Sequence, residues 1–118
     1  MTPFGARMRA LRAARGETLK SMADQIGVSA AYLSALEHGK RGKPTWLLLQ
    51  RIIAHFNIIW DEAEDLQRLA EMSDPRVVVD TAKLSPLATE FANRLAREIG
   101  RLDDQTIRDL IERLDRRR

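Results

Sequence analysis

Lys40, Arg41 and Lys43 fall within the short stretch Gly39-Lys40-Arg41-Gly42-Lys43-Pro44. Three cations on a loop bounded by glycines suit a polyanion, because they can lie along successive phosphates without a fixed pocket. Just upstream, Ser29 places a hydroxyl beside the first amides of a predicted helix, and a helix start favours an anion. His38 can donate to a phosphate or stand solvated as a loop residue. The charge distribution agrees. Residues 1–58 carry nine Lys/Arg against three Asp/Glu, a balance of +6; residues 59–118 carry eleven against fourteen, a balance of −3. A basic half joined to an acidic half points to an anionic partner for the first. Charge alone also fits helices that are merely solvated.

Catalytic chemistry finds no comparable support. His38 and His55 have no nucleophile or metal cluster beside them in the sequence, and no Gly-rich phosphate loop, HExxH or CxxC occurs. Asp61, Glu62, Glu64 and Asp65 read as the acidic start of a helix, where they suit the dipole. The expectation is therefore a non-enzyme with no catalytic residue, no cofactor and no metal site. Cysteine is absent, which excludes disulfides and thiolate zinc sites and suits a reducing compartment. The 118 residues fit one domain plus a smaller appendage. No apolar run approaches the length of a signal peptide or a membrane span. The chain reads as a soluble, cytoplasmic protein with no membrane partner.

The elements that must position these residues are helical almost throughout. Pro3 starts a helix that Gly16 ends. Thr18 caps a second, with Leu19, Met22, Ala23 and Ile26 on its apolar face, and Gly27 stops it. Ser29 caps a third, which carries Leu33 and Leu36 inward and ends at Gly39. Thr45 caps a fourth running to about Phe56, and a fifth spans about Trp60 to Met72. Asp74-Pro75 breaks the pattern. Val77-Val78-Val79 reads as a short strand or an extended arm. Ser85-Pro86 opens a sixth helix with Leu87, Phe91, Leu95 and Ile99 on one stripe and Gly100 as its stop. Asp103 caps the last helix, and Arg116-Arg117-Arg118 reads as a frayed end.

Residues 18–37, TLKSMADQIGVSAAYLSALE, combine a short helix, a Gly-containing turn and a second helix of similar length. Ala23 is small enough for a close crossing, and Gly27 takes a left-handed turn without steric cost. Val28, Leu33 and Leu36 lock the second helix onto the first. Its other face is then free to enter a groove about 12 Å wide. The stretch from Phe4 to Phe56 resembles the phage Cro/CI repressor type of helix-turn-helix domain, the XRE family of bacterial regulators. The resemblance is carried by Met8, Leu11 and Arg12; by Gly16, Met22-Ala23 and Gly27-Val28-Ser29; and by Leu33-Ser34, Leu36-Glu37, Gly39-Lys40 and Pro44.

The resemblance implies a five-helix lambda-repressor-like domain over residues 1–72; outside it, the pattern of residues 73–118 gives an arm and two helices, so the whole chain is expected to be all-α. It implies a sequence-specific regulator of transcription that inserts the helix 29–38 into the major groove of double-stranded DNA. It also implies an Arg12–Glu37 pair that fixes the pose of that helix. The sequence departs from the pattern in two places. Leu19 stands where members commonly carry a phosphate-holding glutamine. Ala30, Ala31 and Ala35 stand where many relatives carry polar base readers, and alanine can only pack on a thymine methyl. Tyr32 and Ser34 remain on or near the exposed face; Tyr32 reads equally well as a DNA contact or as surface packing. Lys40, Arg41 and Lys43 suit the flanking backbone, and Arg41 also has the reach for a base edge. Part of the specificity then falls to DNA shape.

Helix-turn-helix proteins usually bind two half-sites as symmetric dimers. Val77, Val79, Leu87, Phe91, Leu95 and Ile99 are the expected dimer contact; the alternative is that the stripe is core within one chain. A repressor acting at the nucleoid is the leading functional expectation. An antitoxin-like DNA-binding partner of another protein, or an activator using the acidic fifth helix, are the alternatives.

Overall fold

Each helix start predicted from Ser, Thr or Asp carries the expected bond. In the computed structural model, which describes residues 1–117, helix α1 spans Pro3–Arg15. The Thr2 hydroxyl accepts from the Gly5 amide at 3.0 Å. Helix α2 is Leu19–Ile26, with the Thr18 hydroxyl accepting from Ser21 N. Helix α3 is Ala30–Glu37, with Ser29 accepting from Tyr32 N. Helix α4 is Trp46–His55, capped by Thr45 through Leu48 N. Each such bond satisfies an amide that would otherwise lack a partner in the first turn. Helix α5, Trp60–Glu71, has no side-chain cap, but Asp61 and Glu62 complement its dipole.

Among the described residues the chain is all-helical and falls into two units, Met1–Val77 and Val78–Arg118. Arg118, part of the expected frayed end, lies outside the described residues. The first unit is built on a core of Phe4, Met8, Met22, Leu33, Leu36 and Ile52, each at most 1% exposed. It runs on past Met72 because Ser73 is buried and its hydroxyl accepts from the Phe4 amide at 2.9 Å. Pro75 also packs near Gly39.

One close approach was not visible in the sequence. A Cβ on Gly5 would lie 2.1 Å from the backbone oxygen of Glu37, so α1 crosses the end of α3 at glycine contact. Gly5→Ala is expected to destabilise the unit by about 1–3 kcal/mol through overpacking, despite a helix-propensity gain of about 1 kcal/mol. Urea unfolding checks this; an unchanged midpoint would show that α1 slides away freely.

The second unit contains α6, Pro86–Glu98, a 3-10 turn over Ile99–Arg101, and α7, Asp104–Asp115. Gly100 therefore does not end α6 as a left-handed stop; it lies inside the turn that follows, and its φ is not positive. Val77–Val79 form no strand and lie exposed outside any helix. Asp103 caps α7, accepting from Thr106 N at 2.8 Å. Hydrogen bonds from the Thr106 side chain and amide hold its carboxyl below the ordinary aspartate value. Among the described residues of this unit none is buried. Within this unit Leu87 is 72%, Phe91 60% and Ile99 51% exposed, while Leu95 is half-buried.

Candidate nucleic-acid interface

The first requirement is a rigid seat for α3. Ala23 is fully buried where α2 meets α3, and the amides of Gly27 and Val28 both donate to its carbonyl at 3.0 Å. Gly27 takes φ 81°, which a side chain would strain. Leu33 and Leu36 fasten the inner side of α3 to the core. At its far end Glu37 is 1% exposed, and its Oε2 accepts from Arg12 Nη2 at 2.7 Å. The Arg12–Glu37 pair expected from the resemblance is thus formed. It ties α3 to α1 and is buried on both sides. Its geometry is single-pronged, since Arg12 Nε is buried without a partner.

A second buried link steadies α4. His55 Nε2 lies 2.8 Å from Glu17 Oε1, with both side chains under a tenth exposed. Arg15 donates to the His55 carbonyl at 2.7 Å and stands over the Phe56 ring. The turn after α1 is thereby fixed to the end of α4. These partners are far apart in the sequence, and no local pattern announced them.

The outward stripe of α3 is Ala31, Ser34, Ala35 and His38, the i, i+3, i+4 and i+7 spacing of one helix face. Ala31 and His38 are exposed, while Ser34 and Ala35 are half-buried. Ala30 is not part of the stripe; it packs against the core. Tyr32 also packs partly on the core, with its ring turned toward the start of α4. His38 Nδ1 donates to the Ser34 carbonyl at 2.9 Å. That bond leaves Nε2 outward, where it donates to a phosphate only as imidazolium.

The start of α3 and the start of α4 share one shallow concavity. Ser29 and Tyr32 line it from one side, Thr45, Leu47 and Arg51 from the other. Lys40, Arg41 and Lys43 are exposed on the loop that joins the two helices. The Arg41 guanidinium carbon stands 5.6 Å from the centre of the Tyr32 ring. The structure therefore gathers Ser29, Tyr32 and Arg41 near one helix start, whereas His38 sits at the other end of α3.

Three residues that sequence reasoning did not single out stand on the same surface. Arg51 is exposed and lines this concavity and its neighbour beside Gly27. Trp46 and Leu47, in the first turn of α4, are 72% and 59% exposed next to the basic loop. The available signal was the Thr45 cap: it puts residues 46 and 47 in a first turn, and 51 one turn beyond 47. Among the described residues no group of three or more His, Cys, Asp or Glu is placed to hold a metal, and no helix is long and apolar enough to cross a membrane.

A family model described as a helix-turn-helix domain matches residues 3–72. The uncharacterized HTH-type transcriptional regulator RghRB of Bacillus subtilis is 36% identical over 61 residues, covering 52% of this chain and 44% of that protein. The HTH-type transcriptional repressor RghR of the same organism is 38% identical over 61 residues, covering 52% and 45%. The chain thus matches less than half the length of each of these relatives. No solved structure gives a significant match. With the family model covering more than half of its residues, the chain belongs to the helix-turn-helix domain family.

Proposed function

We propose that the protein is a DNA-binding transcriptional regulator that represses by occupying its site. The observation that carries this reading is α3 itself. It is clamped on its inner side, bare on its outer side, and flanked by two helix starts and a basic loop. A helix presented in this way fits the major groove, and amides and lysines at its edges suit the phosphates on either side. The similarity to a repressor supports repression as the outcome. Occupancy alone blocks a promoter, so repression requires no further activity. The working location is the nucleoid.

The same reading includes a homodimer. Two half-sites on a two-fold duplex call for two copies of α3. Val77, Val79, Leu87, Phe91, Leu95 and Ile99 form the contact. The support is physical: a unit of two short helices whose apolar side chains stand in water is poorly stable alone. Covering α6 with a second copy removes that exposure.

Titration of the full-length protein with genomic duplex fragments at increasing salt tests the interface. Lys43→Ala is expected to weaken binding on all sequences and to reduce the slope of log K against log salt by about one unit. An unchanged slope would remove Lys43 from the contact. No retention of duplex by the native protein at low salt would overturn DNA binding.

A further inference from the structure

We infer that the base-reading group of this protein is Arg41, on the loop, and that Tyr32 is the platform that holds it. This inference rests on the DNA-binding reading above. The outward face of α3 offers little to read with. Ala31 and Ala35 provide only methyl groups, Ser34 one hydroxyl, and His38 a single ring nitrogen, because its Nδ1 is taken by the Ser34 carbonyl at 2.9 Å. None makes the paired hydrogen bonds that discriminate one base from the other three.

Arg41 has what they lack. A guanidinium presents two parallel donors that match O6 and N7 of guanine in the major groove. Its position is not that of a free surface arginine. Gly39 at φ 80° and Gly42 at φ 71° turn the loop around it. Its guanidinium carbon then stands 5.6 Å from the centre of the Tyr32 ring, within cation–π range. Tyr32 is half-buried and packed on the core, so the ring is fixed with respect to α3. Among the described residues no carboxylate pairs with Arg41, and its donors stay open. A stacked guanidinium also has less rotamer freedom to lose on binding. The small side chains of α3 complement this arrangement, because they let the helix lie deep enough for a neighbouring arginine to reach a base edge. Arg41 thus contacts the DNA base, and Tyr32 acts through it.

The test is enrichment from a pool of duplexes with a randomised central segment, using full-length protein and its variants. The native protein is expected to select a guanine at one fixed position of each half-site. Arg41→Lys, which keeps the charge, and Arg41→Ala should both lose that preference by about tenfold or more. Tyr32→Ala should lose the same guanine, and Tyr32→Phe should retain it, because the ring face carries the stack. The double variant should select as Arg41→Ala does. Circular dichroism of each variant separates loss of fold from loss of reading, and the lysine and phenylalanine variants leave the core untouched. If Arg41→Ala weakens all duplexes equally, Arg41 is a phosphate contact and the inference is overturned. If Tyr32→Ala keeps the guanine that Arg41→Ala loses, the platform role is overturned. If the native protein binds duplex but selects no guanine, the inference falls while DNA binding stands; if it retains no duplex, both fall.

Discussion

Glu37→Ala is expected to lower the stability of the first unit by about 3–5 kcal/mol. Its carboxylate is among the best-buried groups of the molecule, at 1% exposure, and its partner Arg12 is 8% exposed. Removing one member leaves the other charge in a site with little access to water. The Arg12 guanidinium is poorly placed to recover, because its Nε already lacks a partner. A domain of this size has a total stability of about 5–15 kcal/mol, so such a loss is a large part of the whole. Arg12→Met should cost a similar amount by stranding the carboxylate. The double variant Arg12→Met, Glu37→Leu should recover most of the loss, since it removes both charges and keeps the volume. Urea unfolding followed by circular dichroism measures all three. Additive losses would place the cost in packing rather than in charge. A loss under about 1 kcal/mol would mean that the pair behaves as a solvated one. The consequence for function is direct, because the Arg12–Glu37 bond at 2.7 Å is the side-chain tie between α1 and the end of α3. Breaking it loosens the end of α3 from α1, so DNA affinity should fall in the single variants even where they remain folded.

Phe91→Asp combined with Leu95→Asp is expected to turn the proposed dimer into a monomer. A carboxylate in the centre of an apolar contact has no counter-charge there and is costly to bury. Both positions lie in the second unit, where Phe91 is 60% exposed, Leu95 is half-buried and no described residue is buried. Stability of the first unit should therefore be unaffected. Affinity for a duplex with two half-sites should fall by about 10²–10⁴-fold, the usual effect of losing linked binding, while affinity for a single half-site stays the same. Sedimentation equilibrium and anisotropy on the two duplexes give both quantities. A double variant that remains dimeric would move the dimer contact off the α6 stripe. A native protein that is monomeric at all concentrations would leave α6 and α7 as a surface for a different protein.

The sequence was most informative where the chemistry is local. Thr18, Ser29, Thr45, Ser85 and Asp103 each cap the helix expected of them, because a cap needs only a side chain and an amide three residues on. The turn at Gly27 was legible for the same reason. The stop read at Gly100 holds to within the turn: α6 ends at Glu98 and the chain tightens into a 3-10 turn that contains the glycine. Val77–Val79 have strand-like composition but found no neighbour to pair with. What stayed hidden joins distant residues: Gly5 against Glu37, Phe4 with Ser73, and Glu17 with His55. None of these follows from spacing, since each depends on how the helices cross. The candidate interface shows the same division. Helix α3 and its basic loop could be read from residue order, but the placement of Arg41 over Tyr32 and of Arg51 beside Gly27 could not.

Sequencing the genomic fragments that the purified protein retains at about 0.15 M salt is the most direct test of a dimeric, site-specific regulator. The expected result is enrichment of an inverted repeat whose half-sites lie about one helical turn apart, upstream of the genes it represses. Retention of fragments with no shared repeat would contradict it.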